Sequence, residues 1–218
     1  MEKLEPMAAF FERRLEGYDA HMLGELEGAR EFYEFTARQL PLLPCARVLD
    51  LGCGTGLELE RYLRINPTAR IDCIDISQGM LAALEAKLAN YDVKAICADY
   101  FKAELGDQLY DAAVSVESLH HFSAARKTAL YRRLRAALKA GGYFVLTDYM
   151  AESPEREAEY FETLATLKRA QGIADDAYYH YDTPLTPEHE KQALLDAGFT
   201  RVTELARWEN TYAFKAEL

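Results

Sequence analysis

An α/β fold is predicted for this chain: a doubly wound sheet of seven strands, mostly parallel, with an antiparallel C-terminal strand and helices on both faces. Three observations carry the prediction. Between residues 47 and 148, short apolar runs alternate with helical periods, the rhythm of a parallel sheet covered on both sides. The first run, Val48-Leu49-Asp50-Leu51, passes directly into Gly52-Cys53-Gly54-Thr55-Gly56 and then into a helical pattern. A glycine loop therefore sits at the carboxyl end of a strand, where open α/β sheets bind their ligands. Two strand-like runs separated by four residues close the chain, a spacing short enough for a hairpin, which turns the last strand antiparallel to its neighbour. Together these define a Rossmann-like architecture.

Residues 1–44 precede the sheet and have helical periodicity: Phe10, Phe11, Leu15 and Tyr18 recur at helical spacing, as do Leu26, Phe32, Tyr33 and Leu40. Gly17, Gly24 and Gly28 divide the stretch, and Pro41 and Pro44 end it. Strands follow at 47–51, 70–76, 93–98, 110–116 and 143–148. Helices lie between them at 57–65, at 77–89 with Ser77 as N-cap and Met80, Leu81, Leu84 and Leu88 on one face, and at 123–140, stopped by Gly141-Gly142. Beyond Tyr149 the pattern changes. Residues 154–172 form a long polar helix, 175–182 form a loop rich in Tyr and Asp, and Thr186-Pro187 opens a helix closed by Gly198. The closing strands are 201–206 and 211–216.

The 218 residues suit one domain with a full core. No apolar run approaches the ~20 residues that span a bilayer, and the acidic start Met1-Glu2-Lys3-Leu4-Glu5-Pro6 lacks the basic and apolar regions of a signal peptide. A cytoplasmic protein is expected. The formal net charge of −11 opposes nucleic-acid binding, whose affinity rests on Lys and Arg neutralising phosphates. Arg126, Lys127, Arg132, Arg133, Arg135 and Lys139 gather on the 123–140 helix, where a solvated face is expected. Cys45, Cys53, Cys73 and Cys97 include no C-x-x-C and have no histidine at ligand spacing. No metal site is expected, and the thiols should pack as small hydrophobes.

The chemistry lies at the ends of successive strands. Glycines at alternate positions let backbone approach a ligand closely, and the loop N–H groups with the following helix N-terminus suit a polar or anionic group. Asp75 ends the second strand; an acid there can accept both hydroxyls of a ribose, which argues for an adenosine cofactor. The chain continues Asp75-Ile76-Ser77-Gln78-Gly79-Met80, then Cys97-Ala98-Asp99-Tyr100 after the third strand. Tyr110-Asp111-Ala112-Ala113-Val114-Ser115-Val116-Glu117-Ser118-Leu119-His120-His121-Phe122 runs through the fourth. In this order and spacing, residues 46–148 resemble the class I S-adenosylmethionine (SAM)-dependent methyltransferases of the small-molecule type. Glu16-Gly17-Tyr18-Asp19 resembles the Tyr-Asp step that such enzymes place over the SAM pocket. The nicotinamide fingerprint G-x-G-x-x-G is not met, because Leu57 stands where its third glycine belongs.

The resemblance implies SAM as cofactor and S-adenosylhomocysteine (SAH) as product. It implies that Gly52, Cys53, Gly54 and Gly56 carry the cofactor loop, with Asp50 beneath it, ordering the loop or meeting the SAM ammonium. Asp75 would take the ribose, Ile76 and Met80 would flank the adenine, and Asp99, followed by Tyr100, would accept from the adenine amine. The backbone of Ser115 and Val116 would pass the methionine part, and Tyr18 would lie over the pocket. Glu117, His120 and His121 would then face methyl donor and acceptor, the histidines as candidate bases because imidazole titrates near neutral pH. Glu117 departs from many relatives, which carry a small or apolar residue there; it either binds a cationic acceptor or points to water. Tyr178-Tyr179-His180-Tyr181 is a candidate acceptor wall or cation–π surface. On this basis 1–44 is a helical cap, 45–150 the SAM-binding core, 151–190 an insertion over the acceptor site, and 191–218 the last helix and hairpin. The expected partner is a small-molecule methyl acceptor, with no nucleic acid and no membrane, and the chain is expected as a monomer or homodimer. Two alternatives share the motifs: a carboxy-SAM synthase-like enzyme, which needs a basic residue for an extra carboxylate, and a non-catalytic SAM-binding protein.

Overall fold

A computed structural model describes residues 3–218. Residues 1 and 2 of the expected N-terminal helical stretch lie outside the described residues. Three helices, α1 (Met7–Arg14), α2 (Tyr18–Glu25) and α3 (Ala29–Arg38), lead into β1 (Arg47–Leu51), α4 (Leu57–Ile65), β2 (Arg70–Asp75), α5 (Gln78–Lys87), β3 (Asp92–Cys97) and β4 (Tyr110–Val116). A 3-10 turn at Leu119–His121 precedes α6 (Ala124–Ala137) and β5 (Leu138–Tyr149). Then come α7 (Pro154–Ala170), α8 (Pro187–Asp196), β6 (Arg201–Trp208) and β7 (Thr211–Glu217). One seven-stranded sheet has the order β3-β2-β1-β4-β5-β7-β6. β1 to β5 pair in parallel, and β7 inserts antiparallel between β5 and β6.

Side-chain alternation along the strands builds two cores. Val48, Ile71, Cys73, Ala112 and Val114 pack with α3, α4 and α5 on one face, while Leu49, Leu51, Ala113, Phe144 and Leu146 pack with α6 and α8 on the other. The N-cap roles of Ser77 and Thr186 are present: each hydroxyl accepts the backbone N–H three residues on, at Met80 and His189. Gly17 and Gly28 open α2 and α3 in the left-handed region, whereas Gly24 lies within α2 and breaks nothing.

Four expectations are corrected. α6 stops at Ala137, and β5 runs on through Gly141-Gly142. Leu138 pairs with Tyr110 at once, and a bulge then absorbs the intervening residues before Tyr143 meets Ala112. β6 extends to Trp208, leaving Glu209-Asn210 as a two-residue turn, because Trp208 packs against Phe32 and Phe35 and stays paired with Thr211. The basic residues of the 123–140 segment form a solvated face only in part, at Arg132 and Arg135, which are exposed. Lys127 is fully buried against Glu190, Arg133 donates to the carbonyls of Tyr100, Phe101 and Ala103, and Lys139, on β5, pairs with Asp111. Among the cysteines only Cys53 and Cys73 are buried; Cys45 and Cys97 are exposed. Among the described residues, no helix is long and apolar enough to cross a membrane.

Candidate active site

Two cavities meet over the carboxyl ends of β1, β2 and β4. The smaller is lined by the glycine loop at Gly52, Cys53 and Gly54, by Asp75, Ile76 and Met80, and by Tyr100 and Val116. The larger, of about 760 Å³, is lined by α1 and α2, by His120, His121, His180 and Asp182, and by the β6–β7 turn. Phe11, Tyr18, Glu117 and His121 line both. They form the junction between the two spaces.

The smaller cavity is built by backbone and by Asp75. Gly52 and Gly54 have φ of +74° and +50°, and a Cβ on Gly52 would fall 1.9 Å from Ser118 Oγ, so only glycine fits there. Asp75 accepts from Gly54 N (2.9 Å) with one carboxylate oxygen and from Ser77 N (2.8 Å) with the other, tying loop and helix start together. Burial raises its pKa. Tyr18 faces the loop: its hydroxyl lies 3.8 Å from the position a Gly54 Cβ would take. Four of the expected cofactor residues do not line this space. Asp50 is fully buried beneath the loop, where burial and the Glu58 carboxyl raise its pKa. Neither Asp50 oxygen receives a donor from the described protein, and burial raises the Glu58 pKa as well. Gly56, with φ +75°, packs on Leu84 and Leu88, and a Cβ there would lie 3.1 Å from Leu84 Cδ1. Ser115 is buried and donates to Leu51 O (2.8 Å). Asp99 caps its own loop by accepting from Phe101 N (2.9 Å), with Lys102 Nζ 3.4 Å away.

Helices α1 and α2 latch onto this floor. Glu12 Oε1 accepts from Ser77 Oγ (2.9 Å) and Gly79 N (2.8 Å), and these bonds lower its pKa. Asp19 accepts from Thr55 Oγ1 (2.5 Å) and Lys87 Nζ (2.6 Å). The same N-terminal segment pairs with the loop after α7, through Met7 N to Tyr178 O (3.1 Å) and His180 N to Glu5 O (2.9 Å).

The floor of the larger cavity is a histidine–carboxyl cluster. His120 Nδ1 lies 2.6 Å from Asp148 Oδ1, and its Nε2 lies 3.5 Å from Asp182 Oδ1. Burial alone would lower the His120 pKa, but the Asp148 and Asp182 carboxylates outweigh it and raise it well above the ordinary value. His121 behaves oppositely: burial and the neighbouring His120 charge lower its pKa. Its Nδ1 lies 3.2 Å from Tyr181 O and 3.2 Å from Asp182 Oδ1. Both are acceptors, so Nδ1 carries the hydrogen and Nε2 the lone pair. Glu117 has φ +48°, an uncommon conformation for a side chain of this size. Burial pushes its carboxyl up to about 8, and Thr211 Oγ1 donates to it at 3.0 Å. Asp182 is held well below the carboxylate range: burial opposes this, and its two histidine contacts overcome it.

Sequence reasoning placed Glu117, His120 and His121 together, and they are together. It missed Asp148 and Asp182, which lie 28 and 62 residues from His120, and the Trp208 wall; nothing in local spacing marks them. It also missed that His120, His121 and Asp182 bring ligand-type atoms within 4.8 Å of one another, as do Glu117, His120 and Asp148. Of Tyr178-Tyr179-His180-Tyr181, only His180 lines the cavity, stacked on Phe10 at 3.4 Å with its pKa pulled down by burial to about 4. Tyr178 turns away to hold Arg126 over its ring.

Residues 48–142 match the methyltransferase domain family. The chain is 33% identical over 181 residues to phosphoethanolamine N-methyltransferase 3 of Arabidopsis thaliana, covering 82% of this chain and 33% of that one. It is 26% identical over 181 residues to the carboxy-S-adenosyl-L-methionine synthase of Campylobacter concisus, covering 78% and 76%. The chain thus spans a third of the plant relative and three quarters of the bacterial one. In fold it resembles human N-acetylserotonin methyltransferase, solved with SAM, at a TM-score of 0.63 and 19% identity, covering 95% of this chain and 54% of that one. Residues 48–142 thus carry a methyltransferase domain, on the sheet of the class I SAM-dependent methyltransferases. SAM is the cofactor of that class. The residues present fit it: a glycine-rich loop that would take an amino-acid end, the Asp75 carboxylate that would accept from a ribose, and Ile76, Met80 and Tyr100 that would wall a base.

Proposed function

We propose that the chain transfers the SAM methyl group to a small molecule held in the larger cavity. The observation that carries this is the junction: Glu117 and His121 line both cavities, so titratable groups stand between the cofactor space and the acceptor space. SAM supplies an already activated methyl group, which leaves the protein to align the acceptor, exclude water and take a proton. His121 is the proton acceptor in this proposal, because it is neutral and its Nδ1–H is held by Tyr181 O and Asp182. His120, fixed by Asp148, holds Asp182 in place, and Asp182, half exposed, links the cluster to solvent. The latches of Glu12 and Asp19 close α1 and α2 over the cofactor.

A carboxy-SAM synthase reading needs a fixed cation for the extra carboxylate. The four residues of the junction include no Lys or Arg, which favours methyl transfer. Calorimetry with SAM, SAH and NAD tests the cofactor: the two sulfur compounds should bind, NAD should not, and Asp75→Ala should abolish binding. Mass analysis of SAM-derived compounds extracted from the protein should give SAM or SAH and no carboxylated form. With an acceptor in hand, His121→Gln should lower turnover by about 10²–10⁴ and leave SAH affinity unchanged. Full turnover in both His120→Ala and His121→Gln would sink the proton-transfer assignment.

A further inference from the structure

We propose that the acceptor is an amine, bound as its ammonium between Glu117 and Asp182 within the aromatic walls of the larger cavity. The proposal rests on the methyltransferase reading above. Three carboxyl groups surround the cavity floor, those of Glu117, Asp148 and Asp182. The basic group among them is His120, whose two nitrogens already face Asp148 at 2.6 Å and Asp182 at 3.5 Å. The two arginines that line the cavity are both exposed; Arg13 is paired with Glu5, and Arg14 lies over the Phe10 ring. Among the described residues, no uncommitted cation therefore stands at the junction to hold an oxyanion or a carboxylate.

Glu117 is the second observation. Its side chain is 7% exposed, and it lines both cavities. Thr211 donates to Oε1, while Oε2 stands 3.9 Å from His120 Nδ1, beyond hydrogen-bond reach. Burial pushes this carboxyl up to about 8, and a cation seated beside it draws off its proton; the freed oxygen then calls for a donor, and an ammonium brings up to three. The strained φ of +48° aims this residue there at a conformational cost, as strained backbone at functional sites commonly does. Phe10, Phe11, Tyr18, Tyr149 and Trp208 line the same space, and ring faces attract cations strongly once water is excluded.

The reaction chemistry points the same way. The ammonium gives a proton to His121 Nε2. The freed nitrogen lone pair forms the N–C bond as the C–S bond breaks, its electron pair staying on sulfur, so SAH leaves neutral at sulfur and the methylated nitrogen becomes cationic. Positive charge thus moves from the cofactor cavity towards Glu117 and Asp182, which attract it more in the transition state than in the ground state. An oxygen acceptor would move towards an anion beside the same carboxyls.

The test uses the full chain saturated with SAH, in buffer containing EDTA so that no metal contributes, with four matched probes: phenethylamine, phenethyltrimethylammonium, 2-phenylethanol and 3-phenylpropionate. By calorimetry, both cations should bind at least about tenfold more tightly than the alcohol, and the carboxylate should not bind. Glu117→Gln and Asp182→Asn should each weaken the cations about tenfold while SAH affinity holds, which also shows that the variants are folded. Binding of the alcohol or carboxylate as tight as that of the cations, absence of cation binding, or unchanged cation affinity in both variants would overturn the amine assignment. Failure of SAH itself to bind would instead overturn the methyltransferase reading, and this proposal with it.

Discussion

Glu117 combines a left-handed backbone, a buried carboxyl and a place at the junction of two cavities. Its pKa has a stability consequence with a definite sign. The carboxyl loses its proton near 4.5 when unfolded and near 8 when folded. Between those values the folded protein holds more protons than the unfolded one, so this group's contribution to stability falls as pH rises through the window and is constant above it. Glu117→Gln has no such proton. Its melting temperature relative to wild type should therefore climb from about pH 5 to about pH 8 and then level. Scanning calorimetry of the two proteins side by side checks this; parallel profiles would show that the carboxyl is not perturbed. The strain at this residue could not be read from the sequence, because φ is imposed by the chain turning out of β4 after Glu117 N bonds Thr147 O at 2.9 Å.

At the scale of elements, α6 and α8 are joined by a fully buried pair, Lys127 with Glu190, with the Tyr131 hydroxyl donating to the same carboxylate. Periodicity gave α6 as an amphipathic helix with a charged outer face, yet Lys127 points inward. Removing one charge strands the other in a medium of low dielectric. Lys127→Met should destabilise the fold by about 3–5 kcal/mol, and Lys127→Met with Glu190→Leu should recover most of that loss. Urea unfolding of the wild type and the two variants decides it. The latch from α1 to α5 makes a functional prediction instead. Glu12 is exposed at the surface, so its bonds to Ser77 and Gly79 should count for little in global stability. They hold the lid, however, and Glu12→Ala should release SAH several-fold faster in stopped-flow displacement with an unchanged melting temperature. An unchanged release rate would mean that α1 does not gate the site.

Across the whole molecule, the N-terminal helices, the glycine loop and the loop after α7 converge on one ligand space, so binding should tighten all three together. SAH at a hundred times its Kd should stabilise the protein by about 2.7 kcal/mol, a rise of roughly 5–10 °C for a chain of this size. It should also slow proteolysis within α1 and α2. A melting temperature that rises while α1 remains equally cleavable would separate the cap from the cofactor site.

Local chemistry was sufficient for much of this. The alternation of strand and helix signals, the glycines at 52, 54 and 56, and Asp75 at a strand end are short-range patterns, each set by steric or hydrogen-bonding needs within a few residues. They determined the sheet, the terminal hairpin and the floor of the cofactor cavity. The acceptor space was decided only by tertiary structure. Asp148 reaches His120 from β5, Asp182 arrives from a loop, and Trp208 and Thr211 come from the β6–β7 hairpin. Each lies far from the histidines in sequence, and no local rule couples them. Whether a carboxyl there is ionised, or an imidazole neutral, depends on burial and on charges brought together by packing, and those exist only once the chain has folded.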